Sequence, residues 1–218
     1  MDTTQRLRIT EIFHSIQGES THAGRRCYFV RLTGCNLRCT WCDSEYTFHG
    51  GTWMTFDEIF EKLATFPECD LVEVMGGEPM LQKKVNDFMQ LLLDRGYEVL
   101  LETGGSLTLE DVPKEVRKIV DLKAPSSGEV TANLWSNLDI MQPWDEVKIV
   151  IENRADYEWA REAVLSRNLH ERFVVLFSPT FGTIQPVDLA NWILEDALRV
   201  RMQLQLHKYI WDPKARGV

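Results

Sequence analysis

Residues 31–44, RLTGCNLRCTWCDS, constrain this chain more than any other stretch. They follow an aromatic and β-branched run, CYFVRL at 27–32, that reads as a buried strand. A loop leaving the C-terminal end of such a strand is where open α/β sheets and (β/α) barrels place their chemistry. This one carries Cys35, Cys39 and Cys42 in a C-x3-C-x2-C pattern, three of the five cysteines within eight residues. Grouped thiolates are soft ligands, suited to zinc, copper(I) or an iron–sulfur cluster. A structural zinc site takes four protein ligands in two pairs, and no second C-x2-C or His pair follows. Cys27, Cys69 or His49 would have to act as the fourth at an unusual spacing. A 4Fe–4S cluster held by three thiolates leaves one iron open to a small molecule. The spacing favours the cluster and leaves zinc as the alternative.

The rest of the chain alternates strand and helix signals. LRITEIF at 7–13 alternates as a strand, and Gly18 and Gly24 mark 17–26 as a loop. Thr55-x-x-Glu58 is a capping box opening a helix whose apolar stripe is Phe56, Ile59, Phe60 and Leu63. Further strands are expected at 70–75, 98–103, 116–122, 146–151 and 173–177, and a last one over 202–206. Helices are expected over 85–95, 155–167 and 187–199, with Gly96 a C-terminal stop. The alternation predicts mostly parallel strands joined by right-handed crossovers. With no linker, repeat or low-complexity run, the fold class is α/β in a single domain, 1–218. Counting elements allows a partial (β/α) barrel or an open doubly wound sheet.

Composition narrows the function classes. Lys and Arg number 24 against 33 Asp and Glu, a net charge of −9, which opposes a nucleic-acid footprint. No apolar run reaches membrane-spanning length and MDTTQRLRITEIF lacks a signal core, so a cytoplasmic protein away from membranes is expected. An odd cysteine count with three clustered does not suit a disulfide framework.

Taken alone, several residues have ordinary explanations. Gly76-Gly77-Glu78-Pro79 after a strand reads as a turn, and Asp43 and Ser44 as turn or cap residues. Arg31 on its strand reads as half of an ion pair, His207 as a structural histidine, and Cys27 and Cys69 as small buried hydrophobes.

Context changes these readings. With Trp41 before the third cysteine, the motif resembles that of the radical S-adenosylmethionine superfamily. IQGES at 16–20, AGRRCYFVRLTGCNL at 23–37, WCDS at 41–44, GGEP at 76–79, ETGG at 102–105 and LQLHKY at 204–209 resemble, within it, the 7-carboxy-7-deazaguanine synthases. The similarity runs in order over nearly the whole chain. It implies a partial (β/α) barrel with a 4Fe–4S cluster on Cys35, Cys39 and Cys42. The cluster's open iron would bind S-adenosylmethionine, whose reductive cleavage gives a 5′-deoxyadenosyl radical.

The resemblance further implies Mg²⁺ on Ser44. It places Trp41, Asp43, Gly76, Gly77, Glu78, Lys123, Ser126 and Gln185 on the cofactor, with Glu78 accepting from its amino group. Ile16, Gln17, Gly18, Glu19, Arg31, Met75 and His207 fall on a pterin, Arg31 gripping its carboxylate. Met75 stands where many relatives have threonine. No catalytic residue is implied beyond the cluster and cofactor. The implied reaction is ring contraction of 6-carboxy-5,6,7,8-tetrahydropterin with loss of ammonia, fed by a reductant such as flavodoxin or ferredoxin, in a homodimer. A glycyl-radical-enzyme activase would share the cysteine motif but has no need of Glu19, Arg31 and His207. A zinc-stabilised binding module is the non-enzymatic alternative.

Overall fold

The computed structural model describes residues 5–218. Nine strands form one sheet: β1 (Arg6–Ile16), β2 (Arg26–Leu32), β3 (Thr52–Thr55), β4 (Leu71–Gly76), β5 (Glu98–Thr103), β6 (Arg117–Leu122), β7 (Glu146–Ile151), β8 (Val174–Pro179) and β9 (Arg201–Met202). Seven α-helices accompany them among the described residues, the last lying beyond β9: α1 (Phe56–Leu63), α2 (Val85–Asp94), α3 (Asn137–Ile140), α4 (Arg154–Ser166), α5 (Leu169–Arg172), α6 (Pro186–Glu195) and α7 (His207–Ile210). The order across the sheet is β3-β1-β2-β4-β5-β6-β7-β8-β9. From β2 to β9 every pairing is parallel. β3 and β9 are the two edges, so the sheet stays open.

The mostly parallel reading holds from β2 onward, and β1 supplies the antiparallel part, pairing with both β2 and β3. Only residues 17–25 join β1 to β2, too few for a parallel crossover, which takes a dozen or more. The last strand stops at Met202, and His207 opens a helix instead of closing a strand. Strand β3 was not among the predicted elements.

Alternation along each strand separates two chemistries. Val147, Ile149 and Ile151 of β7 are each 0% exposed and belong to the apolar core with Ile59 of α1 and Phe88, Met89 and Leu92 of α2. The intervening Lys148 and Val150 face a cavity on the other side, as do Phe29 and Arg31 of β2 and Glu73 and Met75 of β4. Helices therefore seal one face while the other holds the site. Among the described residues no helix is long and apolar enough to cross a membrane.

The helix punctuation follows the sequence. Thr55 accepts from the Glu58 N–H at 3.3 Å while Glu58 accepts from the Thr55 N–H at 2.7 Å, the reciprocal cap the motif predicts. Thr55→Ala is expected to cost about 1 kcal/mol in chemical denaturation, and an unchanged midpoint would dismiss the cap. α6 ends four residues before the expected 199, where Ala197 takes φ 46 and turns the chain out of the helix.

Candidate active site

The cysteine loop leaves β2 at Leu32 and is held to neighbouring segments mainly through its backbone. Gly34 donates to the Thr47 carbonyl at 2.7 Å, and Thr40 donates from its N–H to Ser127 O at 3.1 Å and from its hydroxyl to Ser126 O at 2.7 Å. Arg38 reaches back to the Cys35 carbonyl at 2.9 Å and lies over the Phe48 ring. Cys35, Cys39 and Cys42 are free thiols, half-buried, and line one cavity. Burial pushes all three thiols up, Cys39 to about 11, so a metal's positive charge is what would draw their protons off.

Among the described residues no three His, Cys, Asp or Glu side chains are grouped to hold a single metal ion. Zinc needs ligands converging on one point, whereas a cluster spreads its thiolates over separate irons. Three half-buried thiols lining one cavity fit the cluster.

The glycines of GGEP are required by contact. Gly76 has φ +151, and a Cβ there would lie 2.4 Å from the Leu32 carbonyl oxygen. A Cβ on Gly77 would lie 2.2 Å from the Gly34 carbonyl oxygen, at the root of the cysteine loop. Gly76, Gly77 and Met75 line the cavity.

Glu78 does not. It is 0% exposed, and its carboxylate accepts from Met80 N at 3.0 Å, Thr103 Oγ1 at 2.8 and 2.9 Å and Gly104 N at 2.8 Å. Those donors engage the carboxylate that the resemblance places on the cofactor's amino group, and they tie this loop to the ETGG turn.

The cavity has a volume of about 790 Å³ and lies against one face of the sheet. The cysteine loop lines it together with Lys123, Ile16, Gln17, Gly18, Glu19, Arg31 and His207, and from that loop it takes Trp41, Asp43 and Ser44. Ser126 and Gln185 lie apart from these. The Ser126 hydroxyl accepts from Asn153 Nδ2 at 2.7 Å. Gln185 faces a smaller adjoining pocket of about 230 Å³, which shares Pro179, Thr180, Phe181 and Gln205 with the large cavity.

Arg31 is in an ion pair on one edge. Its Nε donates to Glu11 Oε1 at 2.7 Å, and the same oxygen accepts from Tyr46 OH at 2.8 Å. No hydrogen bond from either Nη is present among the described residues, which leaves that edge of the fork for a ligand.

Asp43 receives Lys208 Nζ at 2.7 Å and the Ser44 hydroxyl at 3.0 Å. Burial pushes its carboxyl up, but the Lys208 ammonium more than offsets this and holds it well below the usual carboxylate range. His207 packs against Gly18, where a Cβ would come within 2.3 Å of His207 Nδ1, and Leu206 N donates to Gly18 O at 2.9 Å. Burial pushes the His207 imidazole below its ordinary value, so it is neutral at pH 7.

Five groups in this cavity went unnoticed in the sequence: Glu73, Glu102, Asp121, Lys148 and the segment 213–218. Glu73 and Lys148 carry one signal, a charge inside a run otherwise apolar enough to be buried on both faces, as in LVEVM and VKIVI. The final segment carries no comparable signal.

Residues 29–173 match the family model for the Radical SAM superfamily. A 7-carboxy-7-deazaguanine synthase from Koribacter versatilis is 50% identical over 226 residues, covering 97% of this chain and 100% of the relative. One from Chlorobaculum tepidum is 48% identical, with 100% of each chain covered. A crystal structure of QueE from Escherichia coli superposes with a TM-score of 0.76 at 20% identity, over 95% of this chain and 99% of that one, which speaks to the fold. Neither the activase nor the zinc module accounts for identity at this level along the full length. The chain belongs to the radical SAM superfamily and, within it, to the 7-carboxy-7-deazaguanine synthase family.

Proposed function

We propose that the chain converts 6-carboxy-5,6,7,8-tetrahydropterin into 7-carboxy-7-deazaguanine and ammonia, a step toward queuosine and other 7-deazapurines. The observation that carries this reading is a single cavity shared by the three cluster thiols and by Glu19, Arg31 and His207. Its cofactors are a 4Fe–4S cluster on Cys35, Cys39 and Cys42, S-adenosylmethionine and Mg²⁺. When bound, cluster and S-adenosylmethionine supply one-electron chemistry that removes a hydrogen atom from the substrate and returns it.

The chain's own residues bind and orient. The Nη edge of Arg31 takes the pterin carboxylate, while Glu19 accepts from the amino and ring N–H groups. Gly18 lets His207 close against the ring, and Gly76 and Gly77 present backbone carbonyls to the cofactor. Sheet and helices exclude water around the reacting carbon. One domain, 1–218, carries all of this, in a cytoplasmic homodimer served by flavodoxin or ferredoxin.

The test is anaerobic incubation of the reconstituted protein with carboxytetrahydropterin, S-adenosylmethionine, Mg²⁺ and dithionite. Product and ammonia are expected in equal amounts, and cleavage of S-adenosylmethionine with the pterin untouched would reject the reading.

Ser44 offers the metal a hydroxyl oxygen directly beyond the cysteine motif, and at present donates its proton to Asp43. A hydroxyl together with substrate oxygens suits Mg²⁺. Ser44→Ala is expected to weaken the Mg²⁺ response of turnover about tenfold or more while leaving iron content intact. Equal wild-type rates in Mg²⁺ and in a chelator would remove the metal from the mechanism.

A further inference from the structure

Lys148, which the cofactor and substrate assignments do not use, is the hub of a buried charge network. It sits midway along β7 with its side chain 6% exposed, inside the cavity. Its ammonium meets carboxylates from three separate elements: Glu19 of the 17–25 loop at 3.1 Å, Glu102 of β5 in direct contact, and Asp121 of β6 at 3.6 Å. Gln203 and Gln205 also donate to Glu19, at 3.3 and 3.0 Å. Glu73 of β4 lies alongside, accepting from the Gln17 amide. Lys123 pairs with Asp121 at 3.0 Å, and His207 faces the same space. One oxygen of this set, Asp121 Oδ1, is buried and has no hydrogen-bond partner among the described residues.

We infer that Lys148 is a positioning residue, holding Glu19 and Glu102 in place as hydrogen-bond acceptors for the amino and ring N–H groups of the pterin. This rests on the pterin reading. The chemistry of that ligand supports the assignment. A pterin presents several N–H donors along one edge, and ionised carboxylates are acceptors only. Four carboxyl groups crowded in a water-poor interior do not all stay ionised without a cation among them.

The present charge states agree with that. Burial pushes Glu73 well above its ordinary value, reinforced by Glu102 and Glu19, which favours its protonated form. Burial also opposes ionisation of Glu102, but Lys148 outweighs it and keeps that carboxyl low. Lys148 is itself raised, since its carboxylates outweigh the burial that would discharge it. Without the ammonium, burial would push the Glu102 carboxyl up, and a protonated Glu102 would be a donor facing donors. Raising the pH would strip that proton and restore the acceptor.

The experiment is anaerobic calorimetry of carboxytetrahydropterin binding to the cluster-loaded protein, across mildly acidic to mildly alkaline pH. Iron content and thermal melting are measured alongside. Lys148→Met is expected to bind about 30-fold more weakly at neutral pH, recovering as the pH rises, while wild-type affinity stays flat. A variant filling a merely structural role would lose affinity equally at every pH, and that result overturns the inference. Should Lys148→Met fail to fold, Lys148→Arg carries the test. Its affinity should fall several-fold with the flat wild-type profile, and unchanged affinity overturns the assignment. Wild-type protein that binds no pterin rejects the functional reading itself. Wild-type binding with Lys148→Met unaffected rejects only the role of Lys148.

Discussion

Alanine at Cys35, Cys39 or Cys42 is expected to abolish reductive cleavage of S-adenosylmethionine, each substitution alone being sufficient. The three thiols line one cavity, and no other cysteine among the described residues lines it. Cys27, within β2, and Cys69, just before β4, lie in the core, 0% and 5% exposed. Burial pushes the Cys27 thiol far up, so that it stays a neutral apolar group. Cys27→Ala and Cys69→Ala are therefore expected to keep iron and cleavage activity, and to lose on the order of 1 kcal/mol of stability for the vacated sulfur volume. Iron and sulfide analysis with chromatographic detection of 5′-deoxyadenosine reads both outcomes. Full iron content and cleavage in Cys39→Ala would sink the ligand set.

The second large effect is expected at Arg31. Arg31→Ala should lose most of its affinity for carboxytetrahydropterin, about 2–5 kcal/mol, because it strands a desolvated carboxylate. Cluster assembly and uncoupled cleavage of S-adenosylmethionine should persist, since the thiols are elsewhere. Arg31→Lys should restore only part of the loss, because a point charge does not reproduce a planar fork. The Glu11 pair offers a second explanation, in which Arg31 merely supports β1 and Tyr46. Glu11→Gln separates the two. It removes the countercharge but leaves the guanidinium, so a substrate role predicts modest loss there and severe loss in Arg31→Ala. Equal losses in the two variants, measured by anaerobic calorimetry, would make Arg31 a structural residue.

Much of this architecture is legible along the chain, for identifiable reasons. Strands β4 to β8 are buried on both faces of the sheet in large part, and such strands announce themselves as apolar runs bounded by glycine or charge. Gly76 and Gly77 are legible because nothing larger than hydrogen fits against Leu32 and Gly34. The cysteine loop is legible because ligand chemistry fixes its spacing. What escapes is set by contacts distant in sequence. β3 consists of four half-exposed or exposed residues whose only partner is β1, so no periodicity betrays it. Glu78 sits next to the motif glycines, yet its carboxylate is taken by Thr103 and Gly104, some 25 residues on. Ser126 likewise carries the right neighbours but turns its hydroxyl to Asn153. Lys148 is visible as an anomaly in EVKIVI, but its meaning depends on which carboxylates the sheet order sets beside it.

One feature of the fold bears on how such a catalyst changes over evolutionary time. The last buried residue is Leu198, and none of residues 199–218 belongs to the core. Yet Gln205, His207, Lys208 and residues 213–218 all form cavity wall. The floor of the site is cut from the sheet, where each inward side chain is bound to its neighbours by the register of eight strand pairings. The facing wall is a surface segment whose substitution leaves the core untouched. Drift, insertion and selection for a different ligand can therefore act on that wall at little cost to folding, while the radical-generating end stays locked into the scaffold.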